Sequence, residues 1–161
     1  MGAPDYRRTA HTVYDAKYHL VWTTKYRYRV LGAKIARRTR DLIREICQQL
    51  DVNIVKGHLS PDHVHMLVSI PPHLSVSRLM QHVKGKSSRK LQLEFKELRQ
   101  QCWGSIWARG YFCATTGVVT DDQIKHYLER HTEHEDQESP LKKLKPSSNQ
   151  QSNLCALAHS G

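Results

Sequence analysis

The segment His63-Val64-His65 carries the strongest local chemical pattern in the sequence. It opens the stretch HVHMLVSI, whose apolar and β-branched residues predict a β-strand. Because side chains alternate along a strand, His63 and His65 project from one face and Val64 from the other. A separation of ~6.6 Å along the strand allows both imidazoles to bind one divalent ion. The alternative, favoured by an H-x-H pattern taken alone, is a pair of hydrogen-bonded histidines on a half-exposed strand.

Tyr127 and His131 form a second pattern, near the end of the stretch DDQIKHYLERH. A helix is predicted here, with Thr120 as its N-cap, and the four-residue spacing places both side chains on one face, ~6 Å apart. A tyrosine phenol, with an ordinary pKa near ~10, can act as a nucleophile when a metal or a positive field activates the site. The alternative is an amphipathic helix that packs Ile124, Tyr127 and Leu128 into a core.

Basic residues alternate with aromatic rings in the run KYRYR, which begins at Lys25 and follows closely after Trp22. Single-stranded nucleic acids are held by charge along the backbone and by bases stacked on rings, at ~1–3 kcal/mol per base. Lys25 and Arg27, with Lys84 and Lys86 on a predicted basic helix, are therefore candidate DNA phosphate contacts. A solvated turn and a solvated helix face are the alternatives.

The composition restricts the class of protein and of partner. The 25 Lys and Arg residues against 15 Asp and Glu residues give a net charge of +10, which favours a polyanion, although membrane surfaces and acidic proteins would also be attracted. The four cysteines form no CxxC pair, so neither a zinc cluster nor a disulfide framework is indicated. Because no apolar run approaches ~18 residues, we expect a cytoplasmic protein with no membrane partner.

The elements that must position these residues follow a recognisable order. The patterns predict strands at 16–23, 53–59, 63–70 and 108–116, and helices at 33–50, at 74–101 with Ser75 or Ser77 as the cap, and from 120 to at least 131. The order is that of an α+β, ferredoxin-like split βαβ fold: a four-stranded antiparallel sheet with helices on one face, plus a C-terminal helix that carries the tyrosine. Residues 1–15 are expected to form an arm or an edge strand. We expect one domain over 1–132 and a disordered polar tail over 133–161.

Taken together, the motifs resemble the single-tyrosine HUH transposases (transposase IS200-like) of bacterial and archaeal insertion sequences that move as single-stranded DNA. The resemblance runs from about Tyr18 to His131. It rests on the stretches YHLVWTTKYRYRVL, HLSPDHVHMLVSIPP, VSRLMQHVKGKSSRKL and WARGYF and on the Gly117-Val-Val-Thr-Asp-Asp-Gln-Ile-Lys-His-Tyr-Leu segment. These stretches resemble the family in their order and spacing as well as in their residues.

The resemblance implies a role for each matching residue. His63 and His65 match the metal ligands, and Tyr127 matches the nucleophile that forms a 5′-phosphotyrosine link and leaves a free 3′-OH. The family usually places a glutamine as third ligand where this chain has His131. An imidazole can replace the amide oxygen, so the implied Mg²⁺ or Mn²⁺ cofactor could shift toward Mn²⁺ or softer ions.

The resemblance also implies the partners. They are single-stranded DNA with hairpins at the transposon ends and a second copy of the chain, because two ends must be cut and each chain offers one candidate tyrosine. In such a homodimer the tyrosine helix completes the active site of the partner, and Gly117 is the expected hinge. Three alternatives stay open: a domesticated relative that acts on chromosomal repeat hairpins, a catalytically inactive module that binds single-stranded DNA, and a phosphodiesterase that uses water as its nucleophile.

Overall fold

The structure, a computed structural model, describes residues 6–115, 122 and 124–129. The strands are β1 (Arg7–Arg8), β2 (Val13–Tyr14), β3 (Lys17–Thr23), β4 (Asn53–Leu59), β5 (His63–Ser69) and β6 (Phe112–Thr115); the helices are α1 (Ala33–Gln49), α2 (Val76–Glu94) and α3 (Lys96–Gln101). Residues 124–129 are helical and are called the tyrosine segment below. The predictions for Gly117, Thr120, His131 and the tail 133–161 lie outside the described residues.

Four strands form one antiparallel sheet in the order β4-β5-β3-β6, and β1 pairs with β2 in a separate two-stranded ribbon. The first strand of the split βαβ unit, β3, lies between β5 and β6, so the connections through α1 and α2 cross the sheet rather than join neighbouring strands. This is the predicted α+β, ferredoxin-like fold. The ribbon corresponds to the expected arm, and the Arg7 guanidinium donates to the Asp51 carbonyl at 3.2 Å.

The main core lies between one face of the sheet and the two long helices. The buried side chains come from the sheet and from both helices, among them Leu20, Trp22, Val64, Met66, Val68, Leu42, Ile43, Ile46, Leu79, Met80 and Val83. Each such side chain contributes ~1.5–3 kcal/mol when fully removed from water. Because β5 directs Val64, Met66 and Val68 into this core, its alternation sends His63 and His65 to the opposite face.

The single helix predicted over 74–101 is wrong, because α2 ends at Glu94 and α3 begins at Lys96. Phe95 takes an extended conformation, with φ −120° and ψ 101°, and its side chain is buried in the core with that of Leu98. The free energy gained by burying the Phe95 ring therefore exceeds the cost of interrupting the helix. At the other end the Ser75 hydroxyl accepts from the Arg78 N–H at 3.2 Å, which confirms Ser75 as the cap.

The last strand is shorter than the predicted 108–116. The Ala108 N–H still donates to the Thr23 carbonyl at 3.1 Å, but Gly110 has φ +76°, a left-handed conformation that breaks the strand. Regular pairing with β3 then begins at Phe112. Among the described residues, no helix is both long and apolar enough to cross a lipid bilayer.

Candidate active site

The face of the sheet opposite the two long helices carries the two predicted metal-binding histidines. In the antiparallel register His63 is opposite Thr23, and His65 is opposite Val21 on one side and His58 on the other. Directly opposed residues of antiparallel strands project to the same face. His63 and His65 therefore share one face with Val21 and His58, as the alternation predicted, and both imidazoles are half-buried.

The His63 ring is oriented by an acidic neighbour that the sequence did not single out. His63 Nδ1 lies 2.8 Å from Asp62 Oδ1, and the other carboxylate oxygen accepts from Arg27 Nη2 at 2.8 Å and from Nε at 3.2 Å. Burial opposes the ionisation of Asp62, but the hydrogen bonds from His63 and Arg27 outweigh it and lower the pKa of the carboxyl. The ionised carboxylate engages Nδ1 and leaves Nε2 of His63 as the ligand atom, the usual arrangement behind a metal-binding histidine.

His65 has a second imidazole beside it. His19 Nδ1 on β3 lies 3.4 Å from His65 Nε2, and the ring centroids are 5.7 Å apart. Burial lowers the pKa of His65, and the neighbouring His19, His63 and His58 lower it further. A neutral imidazole is the form that binds metal. Sequence reasoning missed His19 because its proximity depends on strand pairing across 46 residues of chain.

The donor set fits a divalent ion in part. Two imidazoles lie on one face, one held by a carboxylate and the other biased toward the neutral form. Such a pair suits a transition-metal ion such as Mn²⁺. Among the described residues, no group of three His, Cys, Asp or Glu side chains is placed to hold a metal ion. A complete site therefore needs a further ligand, and the predicted one, His131, lies outside the described residues.

Tyr127 packs on the same face of the sheet as the histidines. Val21, Tyr127 and Leu128 form a small buried cluster, with Ile124 and Phe112 against it, and the rings of Phe112 and Tyr127 lie 5.7 Å apart. Val21 is opposed by Phe112 on one side and by His65 on the other. The segment thus packs in the amphipathic manner that was the alternative, and this packing places Tyr127 against Val21, the residue directly opposite His65.

Arg27 connects the histidine strand to the tyrosine segment. Besides its two hydrogen bonds to Asp62, it donates through Nη1 to the Leu128 carbonyl at 3.4 Å. Its backbone and that of Tyr26 are left-handed, with φ +50° and +54°, a conformation that non-glycine residues adopt only when surrounding contacts impose it. The Thr24 hydroxyl supplies such a contact by donating to the Tyr28 carbonyl at 2.7 Å. Arg27 therefore has a structural role, and its predicted phosphate contact stays a prediction.

We expect Arg27→Ala to lower the free energy of unfolding by about 1–2 kcal/mol, because the part-buried Asp62 carboxylate loses both charged donors. Urea denaturation measures this change. Arg29→Ala is the matched control, since Arg29 is exposed in the same basic run and should stay within ~0.5 kcal/mol of the unmodified chain. Equal stability of the two variants would contradict a structural role for Arg27.

The other three predicted DNA contacts also have partners within the chain. Lys25 Nζ donates to the Trp103 carbonyl at 3.2 Å, and Lys86 Nζ lies 3.5 Å from Gln49 Oε1. Lys84 Nζ donates to the carbonyls of Ala108 and Gly110, at 2.7 and 2.6 Å, and so supports the loop before β6. Their phosphate contacts stay predictions.

Trp22, which the sequence placed beside the basic run as a stacking ring, is fully buried and packs edge-on against Trp107 with ring centroids 6.0 Å apart. That part of the interpretation is wrong, because Trp22 lies on the face of β3 that the helices cover.

The described thiols are poor nucleophiles. Burial raises the pKa of Cys47 to about 12 and also raises the pKa values of Cys102 and Cys113.

Comparison with known proteins identifies the family of the chain. A family model described as "Transposase IS200 like" matches residues 12–131. The chain is 38% identical over 129 residues to the transposase for insertion sequence element IS200 of Salmonella typhimurium, covering 78% of this chain and 85% of that protein. It is 33% identical over 118 residues to the ISDra2 transposase TnpA of Deinococcus radiodurans, covering 73% of this chain and 84% of the relative.

Solved structures agree in fold. A crystal structure from Deinococcus radiodurans, described as that of a transposase, superposes with a TM-score of 0.72 at 32% identity, covering 78% of this chain and 97% of that one. A tyrosine transposase bound to a REP hairpin superposes with a TM-score of 0.51 at 13% identity, covering 78% of this chain and 68% of that one, which shows likeness of fold alone. With the family model spanning nearly all of the described sheet and helices, the chain belongs to the family of IS200-like transposases.

Proposed function

We propose that this transposase cleaves and rejoins single-stranded DNA by metal-assisted tyrosine transesterification. The observation that carries the proposal is the placement of Tyr127 on the face of the sheet that bears His63 and His65. Val21, which packs with Tyr127, is directly opposite His65. A nucleophile and a pair of metal-binding side chains on neighbouring positions are what phosphoryl transfer through a tyrosine requires.

The chain's own residues prepare the metal-binding side. Asp62 holds the His63 ring through Nδ1, and the burial that lowers the pKa of His65 favours the neutral form of that imidazole. His131 is the proposed third ligand. A divalent ion, Mg²⁺ or Mn²⁺, held by these residues would polarise the scissile phosphate and stabilise its developing negative charge.

The covalent step exchanges one phosphodiester for another. The Tyr127 phenol oxygen forms a bond to phosphorus, losing its proton, while the bond from phosphorus to the 3′ oxygen breaks and that oxygen gains a proton. The products are a 5′-phosphotyrosine ester and a free 3′-OH. Because the ester retains the bond energy, a different 3′-OH can attack the phosphorus and release Tyr127, which joins two DNA ends without ATP.

The proposed substrate is single-stranded DNA with hairpins at the transposon ends. The net charge of +10 favours a polyanion, and the relatives from Salmonella typhimurium and Deinococcus radiodurans are transposases of insertion sequences. The REP-hairpin complex supports a DNA hairpin as the ligand, by likeness of fold. Two ends and one candidate tyrosine per chain lead us to propose a homodimer, although the tyrosine segment of this structure packs on the sheet of its own chain.

The test is a covalent-adduct assay with a labelled single strand that carries a hairpin next to the cleavage point. We expect Mn²⁺ to support an adduct that survives denaturing electrophoresis, and EDTA to abolish it. His131→Gln, which introduces the ligand usual in the family, should retain the adduct and shift the preferred ion from Mn²⁺ toward Mg²⁺. Binding of the strand with no adduct under any divalent ion would instead support the inactive binding module.

A further inference from the structure

Trp103 is the most exposed large hydrophobic side chain among the described residues, at 87% exposed. It follows α3, and Gly104, with φ +80°, turns the chain immediately after it. The two other tryptophans are core residues, Trp22 at 0% and Trp107 at 3% exposed. Burying an indole is strongly favourable, and exposed aromatic side chains that lie together beside polar and charged groups are typical of a binding surface.

The Trp103 loop is attached to the basic aromatic turn that follows β3. Lys25 Nζ donates to the Trp103 carbonyl at 3.2 Å, and the Lys25 N–H donates to the Ile106 carbonyl at 2.8 Å. The same ammonium group lies 5.6 Å from the centre of the Tyr26 ring. The Tyr26 and Tyr28 rings are 5.5 Å apart, and Tyr28 is exposed. Lys25 thus joins the backbone of the Trp103 loop to a pair of neighbouring tyrosine rings.

Positive charge also lies beside Gly104 and Ser105, which follow Trp103 in the chain. A shallow groove next to the loop is lined by Arg89 and Arg99, together with Leu93 and Gly104. Both arginines are exposed. Aromatic rings between cations are what a single strand needs, because bases stack on the rings while phosphates bind the cations. A membrane surface or an acidic protein would use the charge but has no planar bases to stack.

We infer that the exposed Trp103, together with Tyr26 and Tyr28 on the turn that Lys25 ties to its loop, forms a stacking platform for unpaired bases of single-stranded DNA. The inference rests on the proposed function, since it supplies the surface that holds the strand outside the reacting site. It assigns base stacking to a tryptophan 78 residues away from Lys25 in the chain, in place of Trp22.

The fluorescence of the chain offers a direct test, because Trp103 is the one tryptophan of three that is open to solvent. An oligothymidylate titrated in EDTA, where no cleavage is expected, should quench the exposed indole and leave the emission of Trp22 and Trp107. Trp103→Ala should weaken binding of the same strand by about 5- to 100-fold, measured by fluorescence anisotropy of a labelled oligonucleotide, whereas Trp103→Phe should recover most of the affinity. Val13→Ala, at an exposed apolar side chain of β2 in the separate ribbon, should bind as the unmodified chain does.

Two results of the single-strand titration would overturn the platform: no binding, or binding without quenching. It is also overturned if Trp103→Ala binds as tightly as the unmodified chain, or if a duplex of equal length quenches to the same extent. Failure of the proposed function has a different signature. It would remove the metal-dependent adduct while the quenching in EDTA remains.

Discussion

Tyr127→Phe should abolish the covalent DNA adduct and strand transfer while leaving the fold intact. The substitution removes only the oxygen that attacks phosphorus, and loss of an enzyme nucleophile commonly costs ~10⁴-fold or more in rate. The ring remains to pack against Phe112 and within the cluster of Val21 and Leu128, so the free energy of unfolding should change by no more than about 1 kcal/mol. Denaturing electrophoresis of a labelled hairpin strand measures the first effect and thermal unfolding the second.

Tyr14→Phe is the matched control, because Tyr14 and Tyr127 are both 8% exposed and Tyr14 lies on β2, in the separate ribbon. This variant should form the adduct at the unmodified rate. If Tyr127→Phe still cleaves the strand as fast as the unmodified protein, the nucleophile is water and the protein is a phosphodiesterase.

His65→Ala should remove metal-dependent cleavage and weaken Mn²⁺ binding by roughly 100-fold or more, since loss of even an orienting residue behind a ligand costs ~10–100-fold. Isothermal titration with Mn²⁺ gives the affinity independently of activity. His73→Ala is the control, as His73 is an exposed imidazole beyond the end of β5. Unchanged Mn²⁺ affinity in His65→Ala would show that the imidazole pair does not hold the ion.

The two inactive variants together test the proposed homodimer. If the tyrosine helix completes the site of the partner, a mixture of Tyr127→Phe and His65→Ala chains contains dimers with one intact composite site, and cleavage should return. If each site is assembled within one chain, as the packing of Tyr127 on its own sheet allows, a mixture stays inactive.

Much of the candidate site follows from local patterns. The alternation of β5 is visible in its sequence, so the order of its residues was enough to place His63 and His65 on one face. The i to i+4 spacing and the apolar Ile124 and Leu128 likewise indicated a helix around Tyr127. Each of these features depends on residues within a few positions of each other, where backbone geometry alone relates them.

Local patterns failed where tertiary packing competes with them. The helix over 74–101 has continuous helical propensity, yet Phe95 interrupts it because its ring gains more from the core than the backbone loses. Trp22 and Trp103 both lie near basic residues, so the neighbouring charge does not distinguish a buried ring from an exposed one. Helices cover the face of β3 that carries Trp22, whereas the loop after α3 leaves Trp103 in water.

Strand order and loop packing determined the rest of the site. Arg27 reaches Asp62 across 35 residues and Leu128 across 101, and His19 meets His65 only because β3 and β5 are neighbours in the sheet. Spacing along the chain contains no information about such contacts. Periodicity and residue type were sufficient to predict the fold class and to propose a metal-binding pair and a nucleophile, because these predictions depend on patterns within short segments. The groups that orient them come from segments that only the folded chain brings together.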